Sequence, residues 1–189
     1  MQTSDFLSKV LSDDGYYCVV GAKDGKFNQK FFSTLDSIVD TASSLHLDGN
    51  DVFFALGTFV EEGKRTTENL KYLKAFFLDI DCGKEGQYAT KKEAINALKA
   101  FRTHYQLPRW TYVVDSGSGM HVYWALTTAI TLTEWKPVAD QLKQACIDFG
   151  FGIDAGVQEM VLVFCVCPVL ITIKHYLLNQ LGSWVMRTV

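Results

Sequence analysis

The five cysteines of this 189-residue chain, Cys18, Cys82, Cys146, Cys165 and Cys167, include no C-x-x-C pair. Neither a zinc ribbon nor a disulfide framework is indicated, and a reducing cytoplasm is the expected location. A basic surplus is also lacking: 18 Lys and Arg against 21 Asp and Glu give a formal charge of −3, an unusual balance for a protein that contacts phosphates. The segment Met1-Gln2-Thr3-Ser4-Asp5 carries no basic region followed by an apolar stretch, so no signal peptide is expected. The apolar run Val161 to Ile173 is too short to span a bilayer, and no membrane partner is expected. No internal repeat or low-complexity linker divides the chain. What remains favours one compact domain with a sizeable core: 48% apolar and 13% aromatic residues argue against disorder.

Helical and strand patterns alternate along the chain. Asp5 to Leu11 reads as a short helix, Tyr16 to Gly21 as a strand, and Lys26 to Phe32 as its hairpin partner. Ser33 to Leu47 is helical, with Leu35, Ile38, Val39, Ala42 and Leu45 at helical spacing and Ser33 and Asp36 forming a start like a capping box. Val52 to Leu56 and Ala75 to Ile80 are strands, separated by the charged loop Glu61-Glu62-Gly63-Lys64-Arg65. A second helix starts at Thr90, capped with help from Glu93, and turns Ala94, Leu98 and Phe101 inward. Tyr112 to Val114 and His121 to Ala125 are strands, and a third helix begins at Thr131 with Glu134 three residues on. Helices among largely antiparallel strands predict an α+β fold.

Two strings carry chemistry. In Phe76-Phe77-Leu78-Asp79-Ile80-Asp81, strand alternation puts Asp79 and Asp81 on one face. Like charges held that close repel unless a cation lies between them, which fits a hard metal bound through oxygen, magnesium or manganese. In Ser116-Gly117-Ser118-Gly119-Met120-His121-Val122-Tyr123-Trp124, two glycines permit close approach of backbone N–H groups to an anion, and His121 on the following strand brings a side-chain donor. Metal and phosphate together suggest nucleotide chemistry. Each string has plainer readings: D-x-D also occurs in nucleotide-sugar glycosyltransferases, and a glycine-serine turn joins many hairpins. Arg65, Lys71 and Lys74 precede the acidic strand and read as a solvated face before a template contact.

Taken in order with a third string, Ile153-Asp154, these residues resemble the archaeo-eukaryotic primase superfamily in its phage and plasmid primase-polymerase branch. That pattern is an apolar strand ending in D-x-D, then S-G-x-G-x-H on a later strand, then an apolar residue and an acid; the resemblance covers roughly residues 50 to 157. It implies a palm related to the RNA-recognition fold, an antiparallel sheet with flanking helices. It also implies template-dependent nucleotidyl transfer by two metals, with Asp79, Asp81 and Asp154 as ligands of Mg2+ or Mn2+. Ser116, Ser118, Gly119 and His121 would bind the nucleotide phosphates. Bound metal would neutralise part of the acidic excess. The implied partners are a single-stranded DNA template, nucleoside triphosphates and a replicative helicase domain or protein, in the bacterial host cytoplasm if the chain is phage-encoded. An alternative from another class is a catalytically impaired nucleic-acid-binding accessory module that keeps the palm.

The resemblance ends at Val157. Members of the family carry a segment of the type R-V-L-R-V-P-G-T followed by Asn and Lys, where this chain reads Val161-Leu162-Val163-Phe164-Cys165-Val166-Cys167-Pro168-Val169-Leu170-Ile171-Thr172-Ile173-Lys174. With third bases chosen to suit, the same codons regrouped one base out of frame give A-R-V-L-R-V-P-G-T-H-N-Y-K. The expectation is a catalytic domain over 1–157 and, over 158–189, a tail produced by a one-base deletion near the Val157 codon. A genuinely divergent native tail is the alternative. The family usually continues into a helicase region, so the chain reads as an isolated N-terminal catalytic domain.

Overall fold

Two antiparallel four-stranded sheets share one core. The computed structural model describes residues 3–83 and 88–153 and, in the tail, the backbone of three short strands. In chain order the elements are α1 (Thr3–Val10), β1 (Tyr17–Lys23), β2 (Lys26–Phe32), α2 (Leu35–Leu47), β3 (Asp51–Ala55), β4 (Gly57–Phe59), β5 (Leu70–Asp81), α3 (Lys91–His104), β6 (Tyr112–Asp115), β7 (Gly119–Ile130), α4 (Leu132–Phe149), β8 (Phe164–Val166), β9 (His175–Leu178) and β10 (Trp184–Arg187). The first sheet has the order β2-β1-β3-β8 and the second β4-β5-β7-β6, while β9 pairs with β10. This is the expected α+β architecture, an antiparallel sheet with flanking helices. Asp154 and most of the 158–189 segment lie outside the described residues.

The elements start where capping chemistry allows. Thr90 Oγ1 accepts from Glu93 N at the head of α3, and the Glu93 carboxylate accepts from Ala89 N. Thr131 N and its hydroxyl both donate to Glu134 Oε2 at the head of α4. Helix α2 starts one residue later than the sequence predicts: Thr34, not Ser33, takes the extended cap conformation and accepts from Ser37 N. Strands β5 and β7 are longer than their apolar cores. The extra length of β5, Leu70 to Lys74, pairs with the short β4, and Leu73 also pairs with Ile130 at the far end of β7. Three residues of β4 are too few to show an alternation, so the sequence leaves that strand unread.

The two faces of β5 diverge in character. Phe76, Leu78 and Ile80 are buried beneath α3 and α4; Phe76 stacks on Trp135 with centroids 5.4 Å apart, and Trp135 Nε1 donates to the Ala75 carbonyl at 2.9 Å. On the other face Phe77 stacks on Tyr123, and Phe6 of α1 meets Tyr123 and Tyr112 edge-on. Aromatic packing of this kind contributes about 1 kcal/mol per pair beyond area burial. It closes the middle of that face, and Asp79 and Asp81 lie past its end, half-buried.

Candidate active site

Pairing in the second sheet assembles the site. Across β5 and β7, Phe77 is opposite Tyr123, Asp79 opposite His121 and Asp81 opposite Gly119; across β6 and β7, Val114 is opposite His121. Directly paired residues of antiparallel strands point to the same face. The two aspartates, His121 and the end of the glycine-serine turn are therefore neighbours on one surface. His121 Nε2 lies 3.4 Å from Asp79 Oδ1, and its Nδ1 lies 3.4 Å from the Tyr123 hydroxyl. The imidazole is only 2% exposed, whereas Asp79 keeps 17% of its side chain in solvent. His121, read from the sequence as a donor to an anion, is thus buried beside Asp79.

The turn between β6 and β7 is held from three sides. Ser116 N donates to the Gly119 carbonyl across the hairpin, and Cys82 N donates to the Ser118 carbonyl from the end of β5. From α3, the Lys91 ammonium donates to Asp115 Oδ1 and, at 2.8 Å, to the Gly117 carbonyl; Asp115 Oδ1 also accepts from Gly117 N. The two glycines serve different needs. Gly117 has φ +93 with open space around it, a turn conformation that L side chains resist. Gly119 is a spacing residue: a Cβ there would run into the Ile80 carbonyl oxygen and lie 3.1 Å from Asp81 Cα. Its missing side chain lets β7 lie against the strand end that carries Asp81.

The chain returns to this corner after α4. Gly150, at φ +68, ends the helix, and Phe151 N donates to the Cys146 carbonyl. Phe151 then stacks on Phe101, and Gly152 N donates to the Tyr88 hydroxyl at 3.1 Å. Tyr88 in turn takes Gly83 N on its carbonyl and bridges Cys82. Tyr88 thereby links Gly152 to Cys82 and Gly83, the two residues after Asp81, while Asp154, the remaining candidate ligand, lies outside the described residues. Burial pushes the Tyr88 phenol up, and it also pushes the Cys82 thiol up against the opposing pull of Lys91. Both are neutral at physiological pH.

Among the described residues, no three His, Cys, Asp or Glu side chains gather as a ready metal cluster. The groups that are present are of the type a hard cation takes: Asp79 and Asp81 offer carboxylate oxygens on one face at its half-open end. Lys71 and Lys74, in the first half of β5, look elsewhere. Lys71 pairs with Asp14 at 2.6 Å, and Lys74 donates to the Ser8 carbonyl. Trp124 is fixed in the fold by donating from Nε1 to the Pro108 carbonyl. Sequence spacing missed Lys91, Asp115 and Tyr88; only an acid directly ahead of the glycine-serine turn hinted at one of them. No helix among the described residues is long and apolar enough to cross a membrane.

Comparison with known proteins returned no matching family model. A replication protein of Clostridium perfringens is 31% identical over 108 residues, which is 56% of this chain and 26% of that protein. The chain thus spans about a quarter of that relative's length. Among solved structures, the AEP domain of the cyanophage S-2L primase-polymerase superposes with a TM-score of 0.52 at 15% identity, over 73% of this chain and 66% of that one. The chain, with two carboxylates and a glycine-serine turn meeting at one end of the β5-β7 pair, shares the fold of that primase-polymerase AEP domain.

Proposed function

We propose that this chain is the catalytic domain of a primase-polymerase and performs template-dependent nucleotidyl transfer in phage or plasmid replication. The observation that carries the reading is the pairing of Asp79 with His121 and Asp81 with Gly119, which sets the acidic pair beside the glycine-serine turn. The primase-polymerase fold and the similarity to a replication protein support it.

Asp79 and Asp81, with Asp154 as the third acid, would hold Mg2+ or Mn2+. Bound there, the metals would supply activation of a primer hydroxyl and neutralise charge on the triphosphate. The protein's own contribution is positional. Ser116, Ser118 and Gly119 would present the turn to the phosphates, and His121 would reach them beside Asp79 with its Nε2. Tyr123 holds the opposite ring nitrogen, which orients the imidazole.

The partners on this reading are single-stranded DNA, nucleoside triphosphates and a replicative helicase. The test is incorporation of labelled nucleotides on a single-stranded template with manganese or magnesium. Extension that is abolished by chelation supports the enzyme. Template binding without any incorporation would instead identify a non-catalytic replication module.

A further inference from the structure

A lysine at the first position of a helix works against its own electrostatics. The N-terminal turn carries partial positive charge, so an ammonium there is unfavourable unless an anion answers it. Lys91 opens α3, and Lys92 follows. Lys91 finds its anion across the structure in Asp115, the last residue of β6, and both side chains are largely withdrawn from solvent, 28% and 13% exposed. A second donor of the same ammonium goes to the Gly117 carbonyl, and Asp115 closes the triangle by accepting from Gly117 N.

We infer that Lys91 is a positioning residue for nucleotide binding, acting through Asp115 to fix the Ser116–Gly119 turn. The inference rests on the primase-polymerase reading and adds a residue to it. Two facts give the brace its leverage. Gly117 has no side chain and a φ of +93, so the backbone at the tip is the most adaptable point of the hairpin. The other contacts of the turn, Ser116 N to Gly119 and Cys82 N to Ser118, hold its base and the side facing β5, and leave the tip to Lys91. An anion-binding turn works only if its N–H groups are already aimed. Charge-assisted bonds from a half-buried ammonium supply that preorganisation.

The test compares wild type with Lys91→Met, Lys91→Arg and Asp115→Asn, measuring nucleotide KM and kcat on a primed template, the Kd of a fluorescent deoxynucleoside triphosphate and the Kd of single-stranded DNA. Lys91→Met is expected to raise nucleotide KM and Kd about tenfold, the scale of one charge-assisted hydrogen bond. The kcat and the DNA Kd should stay within about twofold of wild type, a pattern that loss of uniform ground-state binding produces. Arginine at 91 restores most of the affinity, and the double substitution at 91 and 115 costs no more than the worse single one. Unchanged nucleotide affinity in Lys91→Met, or equal losses for nucleotide, DNA and melting temperature, overturns the positioning role while leaving the enzyme reading intact. A wild-type chain that neither binds nor incorporates nucleotide overturns both.

Discussion

Asp79 and His121 face each other across β5 and β7, with carboxylate Oδ1 and imidazole Nε2 separated by 3.4 Å and the ring 2% exposed. A buried imidazole in that position has two duties, to fill space under the site and to meet the carboxylate that would carry metal. The experiments below separate them.

Asp79→Ala and Asp81→Ala each remove one of the two carboxylates proposed to hold metal on that face. Incorporation should fall at least about a hundredfold, while the melting temperature of Asp81→Ala holds or rises because a repulsion is relieved and that of Asp79→Ala falls slightly because His121 Nε2 loses its neighbour. Manganese titration followed by spin resonance reads the loss directly. Full activity in either variant would sink the metal assignment.

His121→Ala vacates a fully enclosed volume, so a stability loss of about 2 kcal/mol is expected in any case. The informative measurement is the ratio of ligand affinities. If His121 meets the triphosphate, nucleotide Kd rises about tenfold and template Kd does not. Equal losses for both ligands would make the histidine a packing residue only.

Gly119→Ala and Gly117→Ala form a matched pair. At 119 the new methyl meets β5 backbone, which must shift at a cost of about 3 kcal/mol. At 117 it meets open space, and only the left-handed backbone resists, at about 1 kcal/mol. Thermal unfolding should therefore separate the two variants by several degrees. Similar melting temperatures would mean that β7 does not lie as close to Asp81 as its glycine permits.

The tail makes a prediction about DNA. If 158–189 arose from a one-base deletion, the encoding strand reads the arginine-containing family segment in the neighbouring frame, and restoring one base near the Val157 codon raises activity and solubility together. The restored arginines would return charge-assisted phosphate contacts, and the apolar run would be gone. Stop codons in that frame would instead establish the tail as a native element.

What the sequence made legible was whatever depends on short-range period. Asp79 and Asp81 share a face because strand side chains repeat every second residue, and Thr90 and Thr131 cap because their partners are three residues away. Contacts set by the fold left no such trace. Lys91 meets Asp115 across 24 residues and Tyr88 meets Gly152 across 64, and neither separation belongs to any helix or strand. The enclosure of His121 needed the β5-β7 pairing, which spacing alone does not supply. Gly119 has a spacing duty that the sequence does not show for the same reason: the strand its missing Cβ makes room for is far away in the chain.

The uninterrupted ladder from Ala75 opposite Ala125 to Asp81 opposite Gly119 has a consequence for quality control. Sliding β7 by one residue would turn its whole side-chain set over, sending His121 toward Trp135 and Phe76 and confronting Asp81 with a methionine or a serine in place of the glycine that gives it room. Such a chain would bury a polar ring without a partner and split its central sheet. The register that packs is also the register that sets Asp79 and Asp81 beside the glycine-serine turn, so a copy with β7 out of step would lack the candidate site altogether.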